Sequence, residues 1–154
     1  MKNLKLLAPL SQIIKPVRRQ SVSRVNALLI NVPRVQISKG KNNYLLMVIH
    51  MHGLTKFGRT IVRGSDSKNH EQIFEETKVE MDEIGICTKC LGGGFIKNKE
   101  EERFIKIYGC CKTFGEAPHG RTKDILLSWT KYQHFNIVLP KKNMNAFEEA
   151  APKE

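Results

Sequence analysis

The chain has 154 residues and a formal net charge of +11, enough length for one domain with a core and too little for two comfortable ones. Twelve Lys and Arg residues precede Asp66, the first carboxylate, so the positive excess belongs to the N-terminal part and the remainder is close to neutral. An aromatic content of 7% supplies little material for base stacking, and zinc-finger, RNA-recognition and basic-zipper patterns are absent, which argues against specific nucleic-acid binding.

Residues 1–31 read as a basic extension, disordered or targeting. Lys2, Lys5, Lys15, Arg18, Arg19 and Arg24 alternate with leucines and isoleucines without any acid, a composition similar to a mitochondrial transit segment, while Pro9 and Pro16 interrupt any long helix. From Val32 the pattern turns to short strands. Val35 and Ile37 alternate, a turn-forming run Ser38–Asn43 follows, and Tyr44–Ile49 is apolar throughout, as suits a central strand; a hairpin is the simplest connection. Thr60–Val62 predicts another strand.

Between Asn69 and Ile84 the residues Ile73, Phe74, Thr77, Met81 and Ile84 fall at helical spacing, with Asp66 or Ser67 as expected cap and Gly85 as the stop. His70 then lies on the first helical turn, where free N–H groups and the positive end of the dipole attract phosphate. Ile86–Leu91 and Phe95–Ile96 read as extended segments broken by Gly92-Gly93-Gly94, with the glycines making a tight connection. Arg103–Tyr108 alternates as a strand, Gly109–Gly120 reads as a loop, Thr122 as the cap of a second helix with Ile125, Leu126 and Trp129, and His134–Leu139 as a last strand. Residues 140–154 form a polar tail. No apolar run approaches the roughly 20 residues that cross a bilayer.

Several chemistries fail on spacing. The triple glycine lacks the Gly-Lys-Ser/Thr ending of a nucleotide loop. Cys87, Cys90, Cys110 and Cys111 are too few for a secreted disulfide scaffold and favour a reduced, intracellular setting; the adjacent Cys110-Cys111 makes a poor second pair for a zinc ribbon. Neither Glu116 nor Ala117 can serve as the arginine that a thiol phosphatase needs after Cys111. His50 and His52 share a strand face without an obvious third ligand, and His119 and His134 read as ordinary surface histidines.

Three separated motifs, Arg63-Gly64…Asn69-His70-Glu71-Gln72-Ile73-Phe74, Cys90-Leu91-Gly92-Gly93-Gly94 and Ile107-Tyr108-Gly109…Phe114-Gly115…His119, together resemble the protein phosphohistidine phosphatase family, and especially its insect janus and ocnus branch. Val32-Pro33-Arg34-Val35 and His52–Arg59 strengthen the resemblance, which covers residues 32–139. It implies a single α/β domain, a mixed β-sheet flanked by two α-helices, and metal-independent, cofactor-free dephosphorylation of a phosphohistidine-containing protein or peptide by a cytoplasmic monomer, with a role in sexual differentiation. Residues 1–31 offer mitochondrial import as the alternative location. His70 is the implied base or nucleophile, and main-chain groups of Cys111, Lys112 and Thr113 the implied phosphate loop, with Arg63 and Asn43 beside it. Two positions depart from the family: Asn43 stands where it has a basic residue and Phe95 where it has an arginine. Each loses a charge-assisted hydrogen bond worth roughly 1.5–3 kcal/mol, which makes a catalytically weakened phosphate- or partner-binding regulator the alternative function.

Overall fold

The computed structural model describes residues 27–141. Most of the basic extension and the polar tail expected from the sequence lie outside the described residues. The strands are β1 (Val35–Gln36), β2 (Gly40–Met51), β3 (Arg59–Ser65), β4 (Ile86–Lys99), β5 (Phe104–Tyr108) and β6 (Asn136–Val138); the helices α1 (His70–Glu83) and α2 (His119–Ser128) follow β3 and β5, and a 3-10 turn spans Thr55–Phe57. The strands form one mixed sheet in the order β1-β3-β2-β4-β5-β6, with parallel pairs at both edges and antiparallel pairs between.

Strand β2 organises the core because both of its faces are covered. Tyr44 and Leu46 point to one side, where they join Val62, Ile96, Ile107, Ile125 and Leu126 under α2. Leu45, Met47 and Ile49 point to the other and meet Ile61, Ile73, Met81 and Ile86 under α1. Period-2 alternation thus feeds two clusters, and a strand apolar on both faces reads as the continuous run seen in the sequence. Leu29, in a helical stretch at residues 27–31, is also buried on the α1 side, three residues before the expected start of the domain at Val32.

Five local expectations need correction. Strand β1 does not pair with β2 in a hairpin: β3 and β4 take both edges of β2, and β1 lies parallel on the outer side of β3. The intervening turn closes on buried Asn42, whose Oδ1 accepts from Ser38 N at 2.9 Å and whose Nδ2 donates to Ser38 O at 2.8 Å. The cap of α1 is Asn69, with a capping box to Gln72, and neither Asp66 nor Ser67; Gly85 ends the helix as expected, at φ 76°. Helix α2 starts at His119 behind Pro118, three residues before Thr122, which is fully buried in the first turn. Finally, β6 is shorter than expected at three residues.

The triple glycine is the fifth and most informative correction. Strand β4 runs straight through it, absorbing Leu91 as a bulge between the pairs Leu46–Gly92 and Met47–Cys90. The glycines are needed for close approach. A Cβ on Gly93 would lie 2.7 Å from Tyr44 O and 3.1 Å from Cys111 Cβ, and one on Gly94 would lie 2.7 Å from Tyr108 O and 3.0 Å from His119 Cε1. The segment after β5 therefore lies directly against β4, and that packing builds the site.

Candidate functional site

The site begins with the first turn of α1. Asn69 Oδ1 accepts from Gln72 N at 2.8 Å while Gln72 Oε1 accepts from Asn69 N at 3.0 Å, which fixes the helix start and so the position of the next residue, His70. The His70 ring is half-buried, its edge set against the Phe95 ring at 5.6 Å between centroids. Its Nε2 lies 2.9 Å from Gly94 O. A carbonyl can only accept, so Nε2 carries the proton and, in the neutral ring, Nδ1 keeps its lone pair. The third glycine of the triplet thus sets the tautomer of the histidine.

Facing this turn is the loop that follows β5. Cys111 and Gly115 exchange backbone hydrogen bonds of 3.2 and 2.9 Å, closing a five-residue turn. Gly93 N donates to Gly115 O at 3.0 Å and Ala117 N to Gly93 O at 3.1 Å, so the loop is stitched to β4 as a partial strand. Two side-chain contacts dock it on α1: Phe114 packs on Phe74 at 5.1 Å, and the Thr113 hydroxyl donates to the Glu71 carboxylate. That bond, more than any other influence, holds the Glu71 carboxyl below the usual carboxylate range. Cys111 is buried and Lys112 and Thr113 are exposed; among the described residues neither the Lys112 nor the Thr113 backbone N–H has a hydrogen-bond partner. Two successive unpaired N–H groups beside a helix N-terminus are what a small anion requires.

The other expected residues fall in different places. Asn43 lies on the α1 side of the sheet opposite Phe95, but its Nδ2 donates to Lys68 O at 2.8 Å, tying β2 to the connection that leads into α1. Phe95 packs on His70 and Tyr108, and Lys41 Nζ stands 5.4 Å over its face, so a cation is present in the neighbourhood while none comes from positions 43 and 95. Arg63 is buried on the β1–β3 flank of α1, with β2 between it and the strand that His70 contacts; its Nη1 donates to Val62 O at 3.0 Å. The structure therefore brings His70 together with Cys111, Lys112 and Thr113 and leaves Arg63 apart from them.

The burial of His119 has no counterpart in the expectations from sequence. His119 is no surface residue but is 7% exposed, with Nε2 2.9 Å from Gly109 O and Nδ1 2.6 Å from the Tyr44 hydroxyl, which also lies 3.4 Å from Thr122 Oγ1. Burial pushes the Tyr44 pKa well above its ordinary value, so the phenol stays protonated and donates to Nδ1. This network anchors the start of the loop to β2 from behind. Its sequence signal was Pro118-His119, a proline just ahead of a helix start.

Among the described residues no three His, Cys, Asp or Glu converge as a metal site; His52 Nδ1 lies 3.9 Å from Cys87 Sγ without a third ligand. No helix among them is long and apolar enough to cross a membrane.

Residues 29–136, which hold both histidines, the triple glycine and the loop, match the Janus/Ocnus family model. The chain belongs to the Janus/Ocnus family. It is 49% identical over 140 residues to the sex-regulated protein janus-B of Drosophila sechellia, covering 90% of this chain and 99% of that protein. Against the janus-B of Drosophila melanogaster the identity is 48% over 140 residues, again with 90% and 99% covered. The janus-B of Drosophila pseudoobscura pseudoobscura gives 47% over 141 residues, 92% of this chain and all of that protein. The Janus/Ocnus match thus spans the whole sheet up to the start of β6.

Proposed function

We propose that this Janus/Ocnus chain is a phosphohistidine protein phosphatase-like protein, with a role in sexual differentiation in keeping with its sex-regulated relatives. The observation that carries the reading is the pairing of a tautomer-fixed His70, whose Nδ1 has no partner among the described residues, with the N–H groups of Lys112 and Thr113, likewise unpaired among them, on a loop docked to the same helix turn. In this reading the phosphoryl oxygens of a phosphohistidine take the Lys112 and Thr113 N–H groups and the positive end of α1. His70 Nδ1 then either attacks phosphorus, forming a new P–N bond that water later cleaves, or takes a proton from water as its oxygen bonds to phosphorus. In both routes the P–N bond to the substrate histidine breaks and that imidazole leaves with a proton. The substrate class is a phosphohistidine-containing protein or peptide, met by a monomer. Turnover of a phosphohistidine peptide by the purified chain, compared with His70→Ala, tests this; equal rates would remove His70 from the chemistry.

A second reading is supported by the surroundings of the same histidine. The Asn43 amide is spent on Lys68 O and Phe95 covers one side of His70, so the cationic surround of an efficient phosphatase is thin and the chain acts as a phosphate- or partner-binding regulator. Calorimetry with phosphate and phosphopeptide, repeated on Asn43→Lys and Phe95→Arg, separates the two. Binding without turnover in the native chain, with turnover gained in the variants, favours the regulator; robust native turnover sinks it. The proposed location is the cytoplasm, with mitochondrial import through residues 1–31 as the alternative, and a reporter fused to those residues distinguishes them.

A further inference from the structure

Arg63 stands on β3 with its side chain on the α1 face, opposite Leu45. It is 4% exposed, yet only Nη1 is engaged; among the described residues Nε and Nη2 have no hydrogen-bond partner. Those two nitrogens form one edge of the guanidinium, the side-on fork that meets two oxygens at once. Burial lowers the Arg63 pKa to about 10, against the pull of Glu80 in the other direction, so the group is a cation at neutral pH. A buried cation with an empty donor edge requires an acceptor.

Arg63 lines a cavity of about 120 Å³ between α1 and the β1–β3 edge, open on one side to solvent. Drug-sized ligands occupy roughly 300–1,000 Å³, so the space admits a head group and little more. Its polar lining includes Gln36, Ser65, Lys68, Glu76 and Glu80. Lys68 is bonded to Glu76, which neutralises that carboxylate; Glu80 has no ion-pair partner among the described residues.

We propose that Arg63 and this cavity form a carboxylate-binding site, separate from the His70 site and independent of its chemistry. A planar, singly charged head with two oxygens fits the fork. A tetrahedral phosphate dianion fits less well, because its remaining oxygens also need donors and the lining carboxylates Glu76 and Glu80 can only accept. The carboxylate comes from a free small acid or from a peptide terminus or acidic side chain. The cavity that Arg63 lines lies on the flank of α1 that faces β1, with both fork nitrogens just beneath its surface, whereas His70 reaches β4 on the opposite flank, so both sites can be filled at once.

The test follows the Arg63 Nε–H resonance of the full chain by NMR during titration with acetate, with inorganic phosphate, and with a short peptide bearing either a free carboxyl terminus or its amide. Saturable displacement of that resonance by acetate, with weaker displacement by phosphate, is expected. The peptide pair assigns the source, since a free terminus that outcompetes both acetate and the amide points to a peptide, and acetate outcompeting both peptides points to a small acid; either result supports the site. Glu80→Gln, an exposed change, is expected to tighten acetate several-fold by removing the like charge. Arg63→Gln abolishes binding, and should that variant fail to fold, Glu80→Gln alone decides. The proposal is overturned by no saturable shift, by preference for phosphate, by undiminished acetate binding in a folded Arg63→Gln, or by acetate binding that weakens or stays the same in Glu80→Gln.

Discussion

His70 and His119 each open a helix behind a capping residue, and each bonds a backbone carbonyl at 2.9 Å through Nε2, Gly94 O in one case and Gly109 O in the other. They differ at the second nitrogen. Nδ1 of His119 is closed by the Tyr44 hydroxyl in a buried pocket, and among the described residues Nδ1 of His70 has no partner and its ring is half-exposed. A histidine with both edges satisfied is a fastener. One with a single edge satisfied has a fixed tautomer and a lone pair to spend, which is the condition for acting as a base or a nucleophile.

The largest expected effect comes from removing the free lone pair. If the phosphatase reading holds, His70→Ala lowers phosphohistidine turnover by roughly 10²–10⁴-fold, the span of general acid–base contributions. Stability should change little, by about 1 kcal/mol for one half-exposed hydrogen bond. Chemical denaturation and a turnover assay on the same preparation check both halves, and a large stability loss would erase the contrast between the two histidines.

His119→Ala should invert that pattern. Truncation leaves the Tyr44 hydroxyl and Gly109 O without their buried partner and opens a void, costing about 2–5 kcal/mol. Any loss of turnover should follow loosening of the Cys111–Gly115 loop and so be partly restored at low temperature or by His119→Gln, which offers one donor and one acceptor. A His119→Ala chain as stable as the native one would show that the network carries no load.

Between these lies Gly94→Ala, at the glycine both histidines approach, His70 through its carbonyl and His119 through the space a side chain there would take. The added methyl would meet Tyr108 O at 2.7 Å and His119 Cε1 at 3.0 Å, and overpacking of this kind costs about 1–3 kcal/mol. Because the shift that relieves it moves the Gly94 peptide, turnover should fall more than stability predicts. Equal, independent behaviour of the two would indicate that His70 does not depend on Gly94.

What the sequence disclosed follows from the range of the interactions involved. Strand β2, helix α1, Gly85 and the position of His70 rest on local periodicity and capping, which a linear reading can reach. The place of β1, the straight course of β4 through its glycines and the burial of His119 rest on contacts between segments far apart in the chain. Gly93 and Gly94 gave a clear signal of special backbone demand, but a glycine required for φ > 0 and one required for close approach look alike in sequence. Arg63 shows the same limit: the resemblance implied a place beside the phosphate loop, and the width of β2 separates it from His70. The side-chain bond from Thr113 to Glu71, 42 residues apart, had no local signal at all.

That bond supports the smallest prediction and the one that bears most directly on how the loop is held beside His70. Thr113→Val keeps the shape of the side chain and removes the hydroxyl, so Glu71 loses the main influence holding its carboxyl low and its pKa should rise toward the ordinary range, as read by carboxyl NMR titration. The linkage has a definite sign. A carboxylate whose pKa is depressed in the folded state contributes stability above its unfolded pKa, and that contribution is lost as pH falls through the folded value. Glu71 is fully exposed, so the consequence is local order and not global stability. Protection of the hydrogen-bonded Cys111 and Gly115 amides against exchange, taken relative to the intrinsic rate at each pH, should drop as the pH falls through the depressed Glu71 value in the native chain, and should already be low at neutral pH in Thr113→Val. Unchanged exchange in the variant would mean that Phe114 on Phe74 and the strand-like bonds to Gly93 hold the loop alone, and that the docking of the loop on the His70 turn is apolar in origin.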